Sequence, residues 1–165
     1  DVVSYGAAIT ACANGAWAEQ ALGLLQRMRG RAVAPDLITR NAAITACEKG
    51  LRWEDALWLL AGFGDEGPDV ISCNAAVSAC EKAAQWPHAL AVFALLRELA
   101  LQPDVVSYNA SMSACEKGQQ WQRAATLLDS MTRAAVRCTV VSFNAVISAC
   151  EKGARWAWTL SLLHN

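Results

Sequence analysis

Apolar residues recur at helical spacing along the chain, in segments of two alternating kinds. One kind predicts a first helix from about Ser107 to Lys117, and the next predicts a second helix from about Trp121 to Arg133. The apolar positions are Tyr108, Met112 and Cys115 in the first helix and Ala124, Leu127, Leu128 and Met131 in the second. Together the two segments predict an antiparallel helix pair.

Small and polar residues mark the ends of these helices. Asp104 or Ser107 is expected to cap the free N–H groups of the first helix, and Gly118 is expected to end it. A proline stops the chain shortly before a new first helix three times, at Pro35, Pro68 and Pro103.

The helix pair recurs along the whole sequence. One cysteine per copy gives the period, at Cys12, Cys47, Cys80, Cys115 and Cys150, which lie 35, 33, 35 and 35 residues apart. The predicted units are 2–36, 37–69, 70–104, 105–139 and a truncated 140–165, cut from a longer array. Repeated pairs stack to bury their apolar faces, so the sequence predicts an all-α superhelical solenoid of helix-turn-helix repeats.

The second unit departs from the pattern. It is two residues short around residues 61–64, and Arg40 stands where the neighbouring units have an aromatic residue or a cysteine. Both departures affect the expected packing of this unit and its phase within the array.

Composition narrows the range of functions. The chain is 55% hydrophobic but holds no apolar run of membrane-spanning length, so no membrane association is predicted. A net charge of −1 gives no overall attraction to nucleic acid, so any such binding depends on how charge is distributed. The cysteines lack metal-binding spacing and are predicted to be buried thiols in a reducing compartment, with no metal or cofactor. His88 and His164 have no nucleophile at usable spacing, so the chain is predicted not to be an enzyme.

The first helix also carries a recurring polar position. Asparagine occupies it in four units, as Asn41, Asn74, Asn109 and Asn144, and Gly6 occupies it in the first. An asparagine in mid-helix costs several tenths of a kcal/mol relative to alanine, so something other than helix stability explains it. The amide either forms a hydrogen bond between repeats or offers a donor and an acceptor to a base edge.

The lysines are equally regular. The chain has four, Lys49, Lys82, Lys117 and Lys152, all at the same place near the end of the first helix and each preceded by a glutamate. A row of ammonium groups suits successive phosphates. The alternative is compensation of the helix dipole, worth about 0.3–1 kcal/mol each.

A row of apolar residues shares this otherwise polar face. It consists of Val3, Ile38, Ile71, Val106 and Val141, each three residues before the asparagine or glycine. Such a row suits wedging between flat bases, or it staples the start of each helix onto the preceding unit.

The units resemble pentatricopeptide repeats, a family of 35-residue helix-turn-helix RNA binders. The resemblance covers the whole chain and rests on the VVSYNA, ACEKG and QPD segments and the leucine-rich second helix. The alternative is a tetratricopeptide-like scaffold for proteins. That family has its tryptophan in the first helix, whereas Trp53, Trp86, Trp121 and Trp156 open the second helix here.

The resemblance implies a specific interface for single-stranded RNA, read one base per unit. The base-reading pairs would be Gly6 with Asp36, Asn41 with Asp69, Asn74 with Asp104, and Asn109 with Thr139, with Asn144 lacking its partner. Asparagine with aspartate favours uracil in the family, so the expected site is purine-U-U-pyrimidine-pyrimidine. The apolar row would sandwich bases and the lysines would meet phosphates. The aspartates could instead serve only as helix caps.

The resemblance further implies a cellular setting. It suggests a monomer in a mitochondrion or chloroplast that acts in organellar RNA processing, stability, editing or translation.

Overall fold

The computed structural model describes residues 1–64 and 67–153, and every regular element in that part of the chain is an α-helix. The helices are α1 (Val2–Asn14), α2 (Ala18–Gly30), α3 (Leu37–Lys49), α4 (Trp53–Ala61), α5 (Val70–Lys82), α6 (Trp86–Glu98), α7 (Val105–Lys117), α8 (Trp121–Arg133) and α9 (Val140–Lys152). Odd-numbered helices are the first helices of the repeats and even-numbered ones the second. Residues 154–165 of the last unit, which include Trp156 and His164, lie outside the described residues. None of the described helices is long and apolar enough to cross a membrane.

The helices form two layers. The first helices pack side by side in chain order, α1 on α3, α3 on α5, α5 on α7 and α7 on α9. Each second helix packs between its own first helix and the first helix of the next repeat, and the backbones of successive second helices do not approach each other. Because the first helices lie closer together than the second helices, the stack bends toward the first-helix face. The predicted all-α superhelical repeat is confirmed.

The predicted apolar stripes form the core between the layers. Tyr108, Met112 and Cys115 of α7 and Ala124, Leu127, Leu128 and Met131 of α8 are all buried. The cysteine of each repeat is buried too, and this burial raises the pKa of the Cys47 thiol to about 12 and that of Cys80 and Cys115 to about 11. These thiols therefore remain protonated at neutral pH and pack as small apolar groups.

Aspartate, rather than serine, caps α1, α3, α5 and α7, and Thr139 caps α9. α7 begins at Val105, two residues before the predicted start, because the Asp104 carboxylate accepts the Ser107 backbone N–H at 2.8 Å. Ser107 is the third residue of the helix, and its hydroxyl accepts the Asp104 N–H at 3.2 Å. This reciprocal pair is a capping box, and it recurs at the start of α5 and α9.

Gly118 does not end α7 in the expected way. Its φ of −82° is ordinary, and the left-handed residue is Gln119, at φ 57°. Gln119 N–H donates to the Glu116 carbonyl at 3.1 Å, and Gln120 N–H donates to the Cys115 carbonyl at 2.8 Å, which closes the helix as a Schellman motif.

The glycine is needed for packing between repeats instead. A Cβ on Gly118 would lie 2.2 Å from Cδ1 of Trp86, and a Cβ on Gly153 would lie 2.7 Å from Cδ1 of Trp121. Each tryptophan opens the second helix of the preceding repeat. The absence of a side chain at the glycine therefore lets the indole ring close the gap between two repeats.

The short second repeat keeps its phase. Its second helix, α4, has 9 residues where the other helices have 13. The segment after α4 places Phe63 under Arg40, whose guanidinium carbon lies 5.2 Å from the ring centroid, as in a cation–π contact. Asp69 still caps α5, so the missing residues shorten the second helix and leave the start of the next first helix unchanged.

Candidate nucleic-acid interface

The structure brings three of the four predicted base-reading pairs into side-chain contact across repeat boundaries. Asn41 Nδ2 lies 3.2 and 3.0 Å from the two carboxylate oxygens of Asp69, and Asn74 Nδ2 lies 3.1 Å from Asp104 Oδ1. In the fourth repeat the contact is looser, at 3.4 Å between Asn109 Nδ2 and Thr139 Oγ1. Each amide therefore bonds to the residue that caps the next first helix.

These contacts are the hydrogen bonds between repeats that were one of the two explanations for the recurring asparagine. They do not use up the amide, because a carboxamide carries two N–H donors and an acceptor with two lone pairs. Asn74 donates one N–H to Asp104 and accepts one hydrogen bond from Ser107. It remains half-exposed, so base recognition and bonding between repeats are compatible at this position.

Two of the capping aspartates, Asp36 and Asp104, have a pKa below the ordinary value of the carboxyl group. Desolvation by burial would raise the pKa of Asp104, but bonds from the Ser107 backbone N–H, the Ser107 hydroxyl and the Asn74 amide outweigh it and hold the pKa below its ordinary value. Asp36 is the last residue of the first repeat, and its pKa is lowered by the hydroxyl and then by the backbone N–H of Thr39 in the second repeat. A charged carboxylate can only accept hydrogen bonds, so it presents acceptor oxygens and no donor beside the amide.

The outer units lack parts of this arrangement. Gly6 offers no side chain, and a Cβ built on it would lie 3.1 Å from Thr39 Oγ1. At the other end Asn144 is exposed, and no described residue follows it at the place of an acid partner.

The apolar row is unpacked. Val3, Ile38, Ile71, Val106 and Val141 keep between 55% and 79% of their surface exposed, although each is the second residue of a helix that packs on the core. This exposure leaves little surface for contact with the preceding unit, so the helix-staple explanation is not supported. The row lies one turn before the asparagines, at the same end of the first helices.

The lysine row is paired with acids. Lys82 lies 2.9 Å from Glu48, Lys117 lies 2.7 Å from Glu81 and Lys152 lies 2.9 Å from Glu116. The partner is the glutamate of the preceding repeat, not the adjacent residue in the sequence. Among the described residues Lys49 forms no ion pair, because the first repeat has Ala13 in the glutamate's place.

The glutamates are fixed on both sides. A serine of the following repeat donates to each carboxylate at 2.8 or 2.9 Å: Ser78 to Glu48, Ser113 to Glu81 and Ser148 to Glu116. Burial would raise the pKa of Glu116, but the bonds from Lys152 and Ser148 outweigh it and lower that pKa. The lysines therefore lie on the predicted face, but most of their charge is locally balanced.

Two sets of residues on this face escaped the sequence analysis. One is the glutamate row, which was treated only as a neighbour of the lysines. The other is the third residue of each first helix, Ser4, Ser72, Ser107 and Ser142, with Thr39 in the second repeat, of which only Ser107 was considered, as a helix cap. The signal was available, because a hydroxyl residue recurs there as regularly as the asparagine.

Comparison with known families decides what these repeats are. The model of the pentatricopeptide repeat domain matches residues 1–49 and 66–118, and that of the PPR repeat family matches residues 103–152. The chain belongs to the pentatricopeptide repeat family. The tryptophans that open the second helices are thus part of a pentatricopeptide repeat and not of a tetratricopeptide repeat. No curated protein shows significant sequence similarity to the chain.

Solved pentatricopeptide repeat proteins share the fold at low identity. The crystal structure of PPR10 from maize matches with a TM-score of 0.83 and 18% identity over 99% of this chain and 24% of that one. PPR10 in complex with an 18-nt psaJ RNA element gives a TM-score of 0.77 and 17% identity, over 98% and 24% of the two chains. The PPR domain of Arabidopsis thaliana protein-only RNase P 1 in complex with tRNA gives 0.78 and 13%, over 94% and 83%. The chain thus spans about a quarter of PPR10.

Proposed function

We propose that this chain binds single-stranded RNA along its first-helix face, with one nucleotide per repeat. The observation that carries the proposal is the row of five exposed valines and isoleucines beside the hydrogen-bonded asparagine pairs. Exposing large aliphatic side chains at every repeat is unfavourable in water, since burying one contributes about 1.5–3 kcal/mol. A flat base inserted between two of them would remove that surface from water and lie against the amide.

The spacing along each first helix suits a nucleotide. Asn109 and Lys117 are eight residues apart, a rise of about 12 Å at roughly 1.5 Å per residue. A base at the asparagine would thus extend its sugar and phosphate toward the lysine. Lys49, which has no ion pair in the described part of the chain, is expected to give the strongest single phosphate contact.

Relatives support the same chemistry. The solved structures of PPR10 with an RNA element and of the RNase P 1 repeat domain with tRNA are complexes of the same fold with RNA. Both are below 25% identity, so the contacts of this chain are argued from its own residues.

The family resemblance implies a base preference for each pair on the interface. We propose purine-U-U-pyrimidine-pyrimidine, read 5′ to 3′ from the first repeat to the fifth. The two uracils face Asn41 with Asp69 and Asn74 with Asp104, where the amide and the acid are in hydrogen-bonding contact. The fourth nucleotide is less strictly read, because Thr139 lies farther from its asparagine and carries no charge.

Fluorescence anisotropy with labelled oligonucleotides tests this proposal. The U-rich single strand should bind more tightly than oligo-A and than duplex DNA, and the affinity should fall as salt is added. Equal affinity for every homopolymer would exclude base reading. Capture of a protein partner that survives replacement of all four lysines, with no RNA binding, would instead favour the protein scaffold.

We further propose, from the family resemblance, that the parent protein acts on RNA in a mitochondrion or chloroplast. Imaging a fluorescent fusion of the full-length protein tests the compartment, and a cytosolic signal alone would contradict it.

A further inference from the structure

Two of the asparagines meet a serine hydroxyl as well as a capping residue. Ser107 Oγ donates to Asn74 Oδ1 at 2.6 Å, and Ser142 Oγ donates to Asn109 Oδ1 at the same distance. Both serines are fully buried, and both belong to the repeat that follows the asparagine. Each is the third residue of its first helix and a member of that helix's capping box.

We infer that Ser107 and Ser142 are positioning residues for base recognition, because they fix which end of the Asn74 and Asn109 carboxamides faces outward. The inference rests on the proposed RNA-binding function. A carboxamide has a donor end and an acceptor end of nearly the same shape, and a half-turn about its last bond exchanges them. Base edges differ in their donors and acceptors, so the exchanged amide would favour another base.

The hydroxyl acts on the acceptor end, because Ser107 Oγ lies 2.6 Å from Asn74 Oδ1 and 3.0 Å from Asp104 Oδ1, so its single proton is shared with the amide oxygen as the nearer acceptor. When Ser107 donates to Oδ1, the Asn74 oxygen is held against the following repeat, and Nδ2 meets Asp104 at 3.1 Å. One N–H of the amide then remains for a base. At Asn109 the second anchor is weak, because the Thr139 hydroxyl can donate or accept and lies 3.4 Å away. Ser142 therefore carries more of the orientation than Ser107 does.

The boundary between the second and third repeats supplies an internal contrast. Ser72 donates to the Asp69 carbonyl and carboxylate, at 2.8 and 2.9 Å, and does not reach Asn41. The Asn41 Oδ1 atom is buried and has no hydrogen-bond partner in the described structure. Ser72 still accepts the Asp69 N–H at 2.9 Å, just as Ser107 accepts the Asp104 N–H at 3.2 Å. Ser72→Ala thus removes the same cap as Ser107→Ala without changing an amide contact.

The test measures base preference at single positions. Dissociation constants are determined for the U-rich RNA and for versions with adenine at the second, third or fourth nucleotide, with wild type, Ser72→Ala, Ser107→Ala and Ser142→Ala. Ser107→Ala should lower the preference for uracil at the third nucleotide by roughly three- to tenfold, the range of one lost hydrogen bond, and leave the second nucleotide unchanged. Ser142→Ala should lower the preference at the fourth nucleotide proportionally more. Ser72→Ala should change neither ratio.

A conservative replacement separates orientation from helix capping. Ser107→Thr keeps the hydroxyl and should restore the wild-type ratio, because Thr39 occupies the same buried place in the second repeat. Melting curves identify the temperature below which every variant is folded, and Ser142→Ala gives an independent reading if Ser107→Ala unfolds.

The possible failures are distinguishable. A wild-type chain with no base preference overturns the proposed function and this inference together. A wild-type preference that survives both Ser107→Ala and Ser142→Ala overturns the inference alone. Equal changes for Ser72→Ala and Ser107→Ala would assign the effect to the cap and also overturn it.

Discussion

At the scale of single residues, the repeat depends on close contacts between neighbouring units. An asparagine within a helix costs a few tenths of a kcal/mol in helix propensity, and Asn41, Asn74 and Asn109 each bond to the cap of the next repeat. The glycine of the ACEKG segment is explained by a neighbour rather than by its backbone. Gly118 has a φ that any residue adopts, yet the Trp86 ring occupies the volume of a side chain there.

Gly118→Ala should therefore destabilise the chain. The new methyl group overlaps Trp86, and Arg123 lies over the same ring with its guanidinium carbon 5.0 Å from the centroid. Overpacking of this kind costs about 1–3 kcal/mol of the free energy of unfolding, measured by urea titration.

Gly23→Ala is the matched control for that substitution. Gly23 lies within α2 with nothing within 4 Å of a built Cβ, so alanine there should stabilise the chain by about 0.5–1 kcal/mol. In a Trp86→Leu background the cost of Gly118→Ala should shrink. An unchanged cost in that background would mean that the indole ring is not its cause.

At the scale of the helices, the caps matter more than the helix lengths. α8 has the bounds that its apolar stripe predicts, whereas α7 begins two residues before its predicted start. The sequence offered two capping residues, and Asp104 prevails because Ser107 completes the capping box from within the helix. The second repeat shows that the cap does not depend on helix length. Its α4 is four residues shorter than the other second helices, yet Asp69 still caps α5 and bonds to Asn41.

Across the whole molecule, the distribution of charge differs from the simple lysine track. Three of the four lysines are tied to a glutamate of the preceding repeat, and each glutamate also accepts a serine hydroxyl. Exposed ion pairs add little stability, so this ladder affects the field of the RNA face more than it holds the stack. As long as these ion pairs are intact, the glutamates should weaken the attraction between the lysines and the phosphates of RNA.

Replacing the three glutamates should therefore strengthen RNA binding. Glutamine at Glu48, Glu81 and Glu116 keeps an oxygen for the serines and releases Lys82, Lys117 and Lys152. The affinity at low salt should rise, and the slope of log affinity against log salt should steepen from near the value of one free lysine, about −0.7, toward about −3 for four. Anisotropy titrations at several salt concentrations measure both.

The control adds the same charge elsewhere. Glutamine at Glu19, Glu54 and Glu98, which are exposed on the second helices, changes the net charge equally and should leave the slope nearly unchanged. Equal steepening in both triple variants would point to net charge rather than to the lysine row.

The sequence alone determined the repeat, the helix pairs, the buried stripes and the rows of asparagine, lysine and exposed aliphatic residues. These features depend on periodicity, which is local and is repeated five times in 165 residues. Only the tertiary structure decided which residues meet across a repeat boundary, since those partners are about 30 residues apart and depend on how two units stack. In the structure Lys117 pairs with a glutamate of the preceding repeat, as Lys82 and Lys152 do. The Trp86 ring packs against Gly118, and Ser107 bonds to Asn74.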